Sequence, residues 1–172
     1  MCLLTVDRRA KLAEKDIVCY KTMYAMGPMQ SVDMREYPDY NPLYAMSPYL
    51  SEIYKWGEEY TEAAMQKESS LAQSQYPVQV STGFHSYRRL KDAEIACHSS
   101  MIIVKCIIPK GSYYWTGNDY RVNNCRDKGY AQYCSNRIRI AAWKRKARGA
   151  KWIDAEDAKR LKSYFQPGVN PE

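Results

Sequence analysis

MIIVKCIIPKG, residues 101–111, is the strongest strand signal in the chain. Seven of its first eight residues are apolar, and the run then ends at Pro109, Lys110 and Gly111. A short and nearly continuous apolar run that stops at turn residues is typical of a strand buried on both faces. We therefore predict that this run is the central strand of a sheet.

Shorter strand patterns on both sides of this run predict the rest of the sheet. They occur at residues 16–23, 53–58, 78–87 and 134–143. In the last of these, Ile138 and Ile140 alternate with Arg137 and Arg139, as in a strand with one dry face and one basic face. Together with the central run, these patterns predict about five strands.

Two segments have helical patterns. Residues 87–98 carry apolar residues at spacings that fit one face of a helix, and Ser86 is the expected cap. Residues 154–165 have Asp154 in the N-cap position and an apolar stripe, and a Pro-Gly pair stops the helix. We therefore expect about two helices.

The remaining segments are rich in tyrosine, proline and turn-forming residues. Residues 27–49 hold four prolines, and residues 112–133 mix aromatic with turn-forming residues, so both are predicted to be long ordered loops. The order of elements indicates a single α+β domain with a mostly antiparallel sheet. We assign residues 1–150 to this domain and residues 151–172 to a C-terminal helix and tail that packs on it or extends from it.

Composition narrows the class of protein. The chain has 172 residues and a mass of 20.0 kDa, which suits one domain. No stretch approaches the roughly 20 apolar residues that cross a bilayer, and no secretory signal opens the chain. We therefore expect a cytoplasmic protein without a membrane partner. The sixteen tyrosines, against two phenylalanines, are expected at half-buried positions, in a cleft or at an interface.

Cysteine and histidine usage argues against a metal site. The six cysteines form no CxxC pair, so we expect reduced thiols and not a disulfide framework. The only histidines are His85 and His98, too few to complete a zinc site with this cysteine spacing. We predict neither a metal nor a cofactor.

The clearest functional signal is the basic stretch RIRIAAWKRKARGAK, residues 137–151. Its basic residues, which equal the whole formal net charge of +7, are Arg137, Arg139, Lys144, Arg145, Lys146, Arg148 and Lys151. With Trp143 and Trp152 nearby, they suit contacts to phosphates and stacking on bases. The alternative is a solvated basic edge that keeps the strand from aggregating. Anion binding requires that these cations form one exposed surface and are not neutralised by the chain's own acids.

A second candidate site is a cleft around the GFHSY turn, residues 83–87. Its candidate residues are Ser81, Thr82, His85, Ser86, Lys110, Tyr113 and Tyr114. His85 follows a strand end, where it is placed either to act as a general base or to cap the turn. His98 ends the predicted helix and needs no further role. Cys2 would become an N-terminal nucleophile if Met1 were removed, but no oxyanion pocket accompanies it.

Several motifs resemble a group of uncharacterised small proteins from phages and mobile elements of gut-type bacteria. They are DIVCYK, GFHSY with LKDAEIA, VKCIIPKGSYYW and GYAQYCSNRIRI, which span roughly residues 16–140. The resemblance brings no established activity. It implies a phage accessory protein in the cytoplasm of a host bacterial cell, and such proteins often act on host defence or on nucleic acid.

A more distant likeness is to the ADP-ribosyltransferase fold, which binds NAD in a split sheet. VSTGFHSY is similar to the Ser-Thr-Ser segment of that family, and IIPKGSYY to the strand and turn that follow it. The family's catalytic glutamate has no counterpart, because the only acids between Gly111 and Asp154 are Asp119 and Asp127. The likeness therefore implies a nucleotide-binding or nucleotide-modifying relative that lacks the family's catalytic carboxylate.

These observations favour binding over catalysis. We expect a phage-type accessory protein that binds an anionic partner, either nucleic acid or a nucleic-acid-binding host protein, and that inhibits host defence. The alternative is a nucleotide ligand in the cleft, with or without turnover. The two differ in salt dependence, which is steep when many phosphates are neutralised and shallow for a small ligand.

Overall fold

The strand predicted at residues 101–108 lies between two long antiparallel partners. The computed structural model describes residues 3–5, 9–27, 31–33, 42, 44–48, 52–62, 78–80, 82–119 and 130–160. Within these residues the strands are β1 (Leu3–Thr5), β2 (Lys11–Leu12), β3 (Ile17–Met26), β4 (Ser31–Val32), β5 (Tyr44–Met46), β6 (Ile53–Lys55), β7 (Glu59–Thr61), β8 (Val78–Val80), β9 (Phe84–Tyr87), β10 (Met101–Ile108), β11 (Tyr113–Asp119), β12 (Ala131–Ser135), β13 (Arg137–Arg145) and β14 (Ile153–Asp154). The helices are α1 (Leu90–Ala96) and α2 (Ala155–Arg160).

One antiparallel sheet contains all of these strands. Its main path runs β14-β13-β10-β3-β9-β12-β11-β1-β8, and the shorter strands β2, β4, β5, β6 and β7 add to its sides. The join between β3 and β9 is narrow, because only Tyr20 and Tyr87 pair there. The described chain is thus a single sheet-dominated α+β domain, which confirms the predicted fold class.

The two faces of the sheet are defined by its register, because directly opposed residues in antiparallel strands point to the same side. We call the side that carries Cys19, Cys106 and Ile140 the front face, since these three align across β3, β10 and β13. The opposite side, which carries Val18, Ile107 and Arg139, is the back face. Because side chains alternate between the two sides along a strand, the other strand residues are assigned to the front or the back face in the same way.

The main core covers the front face of β13, β10 and β3. Ile102, Val104, Ile138 and Ile140 are fully buried there under the β5–β6 hairpin, Trp56 and α2. On the back face, α1 packs on a smaller core that includes Met101 and Ile103. A third cluster is formed by Leu3, Val80, Trp115 and Cys134. It lies on the back of β12, β11, β1 and β8, the strands beyond β9, which we call the far half of the sheet. The part of the back face around Val18, which is 44% exposed, lies outside these cores.

Several details differ from the sequence prediction. The described residues contain fourteen strands and not about five. Residues 113–119 and 131–133, predicted as a loop, belong to β11 and β12, because Trp115 and Cys134 pair across these strands in a buried cluster. The helix α1 is shorter than residues 87–98, and its N-cap is Arg89 without a side-chain cap. Ser86, the expected cap, lies in β9.

The C-terminal segment is part of the same body as far as it is described. β14 pairs with β13, and Ala155 and Ala158 of α2 are buried in the main core. The Asp154 carboxylate accepts a hydrogen bond from the Asp157 N–H at 2.8 Å, as the predicted N-cap requires. Residues 161–172 lie outside the described residues, as do residues 28–30, 34–41, 43 and 49 of the predicted loop. The rest of that loop is not free of secondary structure, because it contains β4 and β5, which pair with β3.

Candidate anion-binding surface

β13 carries the first two predicted basic residues on the back of the sheet. Ile138 and Ile140 are fully buried on the front face, so Arg137 and Arg139, which alternate with them along the strand, point to the back. Arg139 is paired with Ile107 of β10, and Ile107 is in turn paired with Val18 of β3, so these three residues form a row across the back face. The predicted division of this strand into a dry face and a basic face is therefore present.

A β-bulge at Ala141 changes which of the later residues share this face. Cys106 pairs with Ile140 and Lys105 with Ala142, so Ala141 is an extra residue without a partner on β10. After the bulge, even-numbered residues point to the back. Lys144, opposite Ile103, thus joins Arg137 and Arg139, whereas Arg145, opposite Ile102, points to the front.

Three of the seven predicted cations are neutralised by the chain's own acids. The Arg137 Nη2 atom lies 2.5 Å from Glu59 Oε1, Arg139 Nη2 lies 3.3 Å from Asp16 Oδ2, and Lys144 Nζ lies 2.6 Å from Glu94 Oε1. The expected array of free basic side chains is therefore absent at these positions. The Arg137 and Arg139 side chains nevertheless remain 34% and 41% exposed, whereas that of Lys144 is only 12% exposed.

The other predicted cations do not continue the row along the strand. The Lys146 ammonium donates a hydrogen bond to the Cys97 carbonyl oxygen, at the end of α1. Arg148 and Lys151 are exposed in the connection from β13 to β14, and Arg145 is half-buried on the other side. Three of the seven cations thus form a row on the back face, three more follow the end of β13, and Arg145 points to the front, so the seven do not form one continuous strip.

The two tryptophans expected to stack on bases have different surroundings. Trp143 is 1% exposed on the front face, where its ring stacks on that of Trp56 at 6.3 Å between centroids, so it is not available to a ligand. Trp152 is 36% exposed. Its ring centroid lies 6.1 Å from that of Tyr20 and 5.3 Å from Lys144 Nζ.

Trp152 therefore completes a mixed aromatic and basic surface, which we call the basic sheet face. It consists of Val18, Tyr20, Lys105, Arg137, Arg139, Lys144 and Trp152. Lys105 lies opposite both Tyr20 and Ala142, and no acid among the described residues pairs with it. The sequence prediction missed Tyr20 and Lys105, although both lie at alternate positions of strands that it did identify.

The predicted cleft residues are divided between the two faces. Ser86 and Tyr114 point to the front, whereas His85 and Tyr113 point to the back. Thr82 is exposed, and Lys110 lies in the β10–β11 turn, where its N–H donates to Asp16 Oδ1 at 2.9 Å. Ser81 lies outside the described residues. The six described residues therefore do not form the single cleft that we expected.

His85 contacts a cysteine but does not activate it. Its Nε2 atom lies 3.6 Å from Cys134 Sγ, and that thiol donates a hydrogen bond to the Thr82 carbonyl oxygen at 2.8 Å. Burial raises the pKa of Cys134 to about 12, so the sulfur is a neutral thiol at physiological pH. A thiol nucleophile requires the thiolate, and the pair is therefore structural.

A different group of polar residues gathers on the front face. The Lys21 ammonium donates to the His85 carbonyl oxygen at 2.6 Å, and burial lowers the pKa of this lysine. Lys21 and Ser86 flank the single Tyr20–Tyr87 pair that joins β3 to β9. Beyond them, the Arg88 guanidinium lies 5.3 Å from the ring centroid of Tyr133. The sequence prediction included Ser86 but missed Lys21, because a lysine inside an apolar strand pattern gives no signal of its partners.

Comparison with known proteins identifies no relative, since no protein family, curated protein or solved structure matches this chain. Both resemblances described above therefore stay predictions. Over the part of the chain that the structure describes, no three His, Cys, Asp or Glu side chains gather as metal ligands would. None of the helices described is long and apolar enough to span a membrane.

Proposed function

We propose that the protein binds single-stranded nucleic acid on the basic sheet face. The observation that supports this proposal is the alignment of Arg137, Arg139 and Lys105 on the same side of the sheet as Tyr20 and the exposed ring of Trp152. Proteins that bind single strands combine cationic side chains along the backbone with aromatic rings that stack on bases. A duplex would hide the faces of its bases, so a single strand fits this surface better.

The condition set from the sequence, that the chain's own acids do not neutralise these cations, is not met at Arg137, Arg139 and Lys144. The proposal therefore requires that a phosphate share or displace the exposed carboxylates at the two arginines. Exposed ion pairs contribute only about 0.2–1 kcal/mol, because water and salt screen them. Arg139 makes one contact of 3.3 Å with Asp16, and a guanidinium has several further N–H donors. A phosphate can therefore share or replace the carboxylate at Arg137 and Arg139. Lys105 has no carboxylate to displace among the described residues.

The proposal is tested by the salt dependence of binding to a labelled, mixed-sequence single-stranded DNA. We expect affinity to fall with salt by a log-log slope of about −0.7 per phosphate contacted. Arg137→Gln combined with Arg139→Gln is expected to reduce the magnitude of that slope by about 1.4, for two lost contacts. Trp152→Ala is expected to weaken binding about 10-fold with the slope unchanged, since stacking contributes about 1–3 kcal/mol per base.

Arg9→Gln combined with Arg160→Gln is the matched control, because it also removes two positive charges, and both of these exposed arginines lie outside the basic sheet face. It is expected to leave both affinity and slope unchanged. Equal losses from this control and from the Arg137→Gln, Arg139→Gln variant would show only a general charge effect and would contradict the proposal. Absence of oligonucleotide binding, together with capture of a nucleic-acid-binding host protein, would instead support a protein partner.

A second candidate function is the binding of a small nucleotide on the front face. It is supported by the half-buried ammonium of Lys21 next to Ser86, with the Arg88 and Tyr133 side chains beyond them. An ammonium and a guanidinium suit phosphates, and an aromatic ring suits a base. Native mass spectrometry of the purified protein tests it, with one bound nucleotide in the wild type and none in Lys21→Met as the expected result.

The phage resemblance supplies a biological context for either ligand. In that context the protein acts in the cytoplasm of a bacterial host, and the role we propose is inhibition of a host defence that depends on nucleic acid. Deletion of the gene from its phage or mobile element should then lower propagation only in hosts that carry the defence. Equal propagation in all hosts would contradict this role without bearing on nucleic-acid binding itself.

A further inference from the structure

Two of the buried cysteines face each other at the centre of the sheet. Cys19 of β3 and Cys106 of β10 are directly opposed in the antiparallel register, and both point to the front face. Each is a free thiol and is wholly buried in the main core. The other two described cysteines, Cys97 and Cys134, belong to separate clusters on the back face.

The register places these two thiols within reach of a covalent bond. Opposed residues of antiparallel strands have Cα atoms about 4.5 or 5.5 Å apart, depending on the hydrogen-bonding pattern. Disulfides form at Cα separations of about 4.4–6.8 Å. Both possible separations lie in that range. The register therefore permits a bond between Cys19 and Cys106.

The surroundings make the two thiols chemically unequal. Burial opposes ionisation of Cys19, but the neighbouring Cys106 thiol, the Ser86 hydroxyl and the charge of Lys21 together lower its pKa. Burial raises the pKa of Cys106 well above its ordinary value. Two ionisable thiols on directly opposed residues repel each other when both are charged, so one thiolate is favoured over two. Cys19 is therefore suited to attack, and Cys106 to act second.

We propose that Cys19 and Cys106 are a redox-active dithiol that a hydroperoxide converts into a disulfide between β3 and β10. The Cys19 thiolate attacks the O–O bond of hydrogen peroxide, which gives a sulfenic acid and, after protonation of the leaving hydroxide, water. The Cys106 sulfur then displaces the sulfenic hydroxyl, which leaves as a second water. Two thiols and one peroxide thus yield one disulfide and two waters. The inference does not depend on the proposed function.

The test uses the wild-type chain, which avoids any loss of folding in a variant. The folded protein is treated with dilute hydrogen peroxide, then unfolded in excess alkylating agent, digested and analysed by mass spectrometry. We expect a linked pair of peptides containing Cys19 and Cys106, lighter by two hydrogens than the reduced pair. After oxidation, neither Cys19 nor Cys106 should react with the alkylating agent, whereas Cys97 and Cys134 should both be alkylated.

Two variants separate the roles of the two sulfurs. Cys106→Ala should leave Cys19 as a sulfenic acid that dimedone traps, whereas Cys19→Ala should leave Cys106 unreacted. Cys97→Ala is the control, because it removes a buried thiol outside the pair and should leave the linked peptides unchanged. The proposal would be overturned if Cys19 and Cys106 remained alkylated in the wild type, or if either sulfur linked to a different cysteine.

Discussion

Ionisation of Tyr54 is strongly coupled to folding. Its ring is 2% exposed in the main core, and its hydroxyl donates a hydrogen bond to Glu52 Oε2 at 2.5 Å. Burial, reinforced by this hydrogen bond and by the charge of Glu52, raises the pKa of Tyr54 far above its ordinary value. The folded protein therefore keeps this phenol protonated at pH values where the unfolded chain would lose the proton.

The sign of the resulting pH dependence follows from proton linkage. Below pH of about 10 the tyrosine is protonated in both states, so its contribution to stability is complete. Above that pH the unfolded chain is stabilised by ionisation and the folded state is not. Stability contributed by Tyr54 is therefore lost progressively as the pH rises from about 10 toward the raised pKa of the folded state.

Tyr54→Phe should isolate this effect. At pH 7 we expect the variant to be less stable by about 1 kcal/mol, because it lacks one hydrogen bond to a partly solvated carboxylate. From pH 9 to pH 11 the difference should shrink, since only the wild type has a phenol to ionise at this position. Urea unfolding followed by circular dichroism at each pH measures it. A constant difference across this range would show that Tyr54 does not titrate as described.

At the level of elements, the turn between β10 and β11 depends on one glycine. Gly111 has a φ of +80°, and the turn is closed by a hydrogen bond from the Ser112 N–H to the Pro109 carbonyl oxygen at 3.1 Å. A Cβ atom added at Gly111 would meet no atom within 4 Å. Glycine is therefore favoured here by the backbone conformation and not by a lack of space for a side chain.

Gly111→Ala is predicted to lower the free energy of unfolding by about 1 kcal/mol. The reason is the steric cost of the left-handed conformation for a residue with a Cβ atom. Gly111→Asn should cost less than Gly111→Ala, because asparagine tolerates this region better despite its larger side chain. Urea denaturation of the three proteins tests the order. If the loss followed side-chain size instead, packing and not backbone conformation would govern the turn.

The strand pattern of β13 shows how far alternation alone can predict a site. Alternation correctly separated Arg137 and Arg139 from the buried Ile138. Continued past residue 141, strict alternation would have placed Arg145 on the same face as the two arginines. It would have placed Lys144 in the core. The bulge at Ala141 reverses that assignment. A bulge is a property of the pairing between two strands, and Ala141 itself carries no distinguishing chemical signal.

β11 and β12 were missed for a related reason. Their tyrosines, glycine and asparagine resemble loop residues, and no long apolar run marks either strand. Each is held by pairing on both sides and by the buried contact between Trp115 and Cys134. Strand formation here depends on tertiary neighbours more than on local preference. The central strand β10 was predictable because its burial on both faces is encoded in its own composition.

At the scale of the molecule, net charge did not predict the availability of its basic residues. The formal charge of +7 equals the count of cations in residues 137–151, yet Glu59, Asp16 and Glu94 come from other elements to pair with three of them. Composition records how many charges exist, and only the fold determines which of them meet. The same applies to the candidate cleft, because His85 and Ser86 are adjacent in sequence but point to opposite faces of β9.

The narrow join between β3 and β9 raises the question of whether the sheet unfolds as one unit. Only the Tyr20–Tyr87 pair connects the two strands along the ladder. Hydrophobic packing crosses the join on both faces, however. Phe84 of β9 belongs to the main core with Cys19 and Met23 of β3, and on the back face Tyr87 packs with α1 and Ile103. We therefore predict a single cooperative transition.

Two buried tryptophans on opposite sides of the join allow this prediction to be measured. Trp115 lies on β11, in the far half of the sheet, and Trp143 lies on β13, on the other side of the join. Each is 1% exposed. The protein is labelled with 5-fluorotryptophan, and the four ¹⁹F resonances are assigned by single Trp→Phe variants. Both native signals should disappear at the same urea concentration, because losing either half exposes the packing that spans the join. Loss of the Trp115 signal first, with that of Trp143 intact, would instead show that the two halves unfold separately.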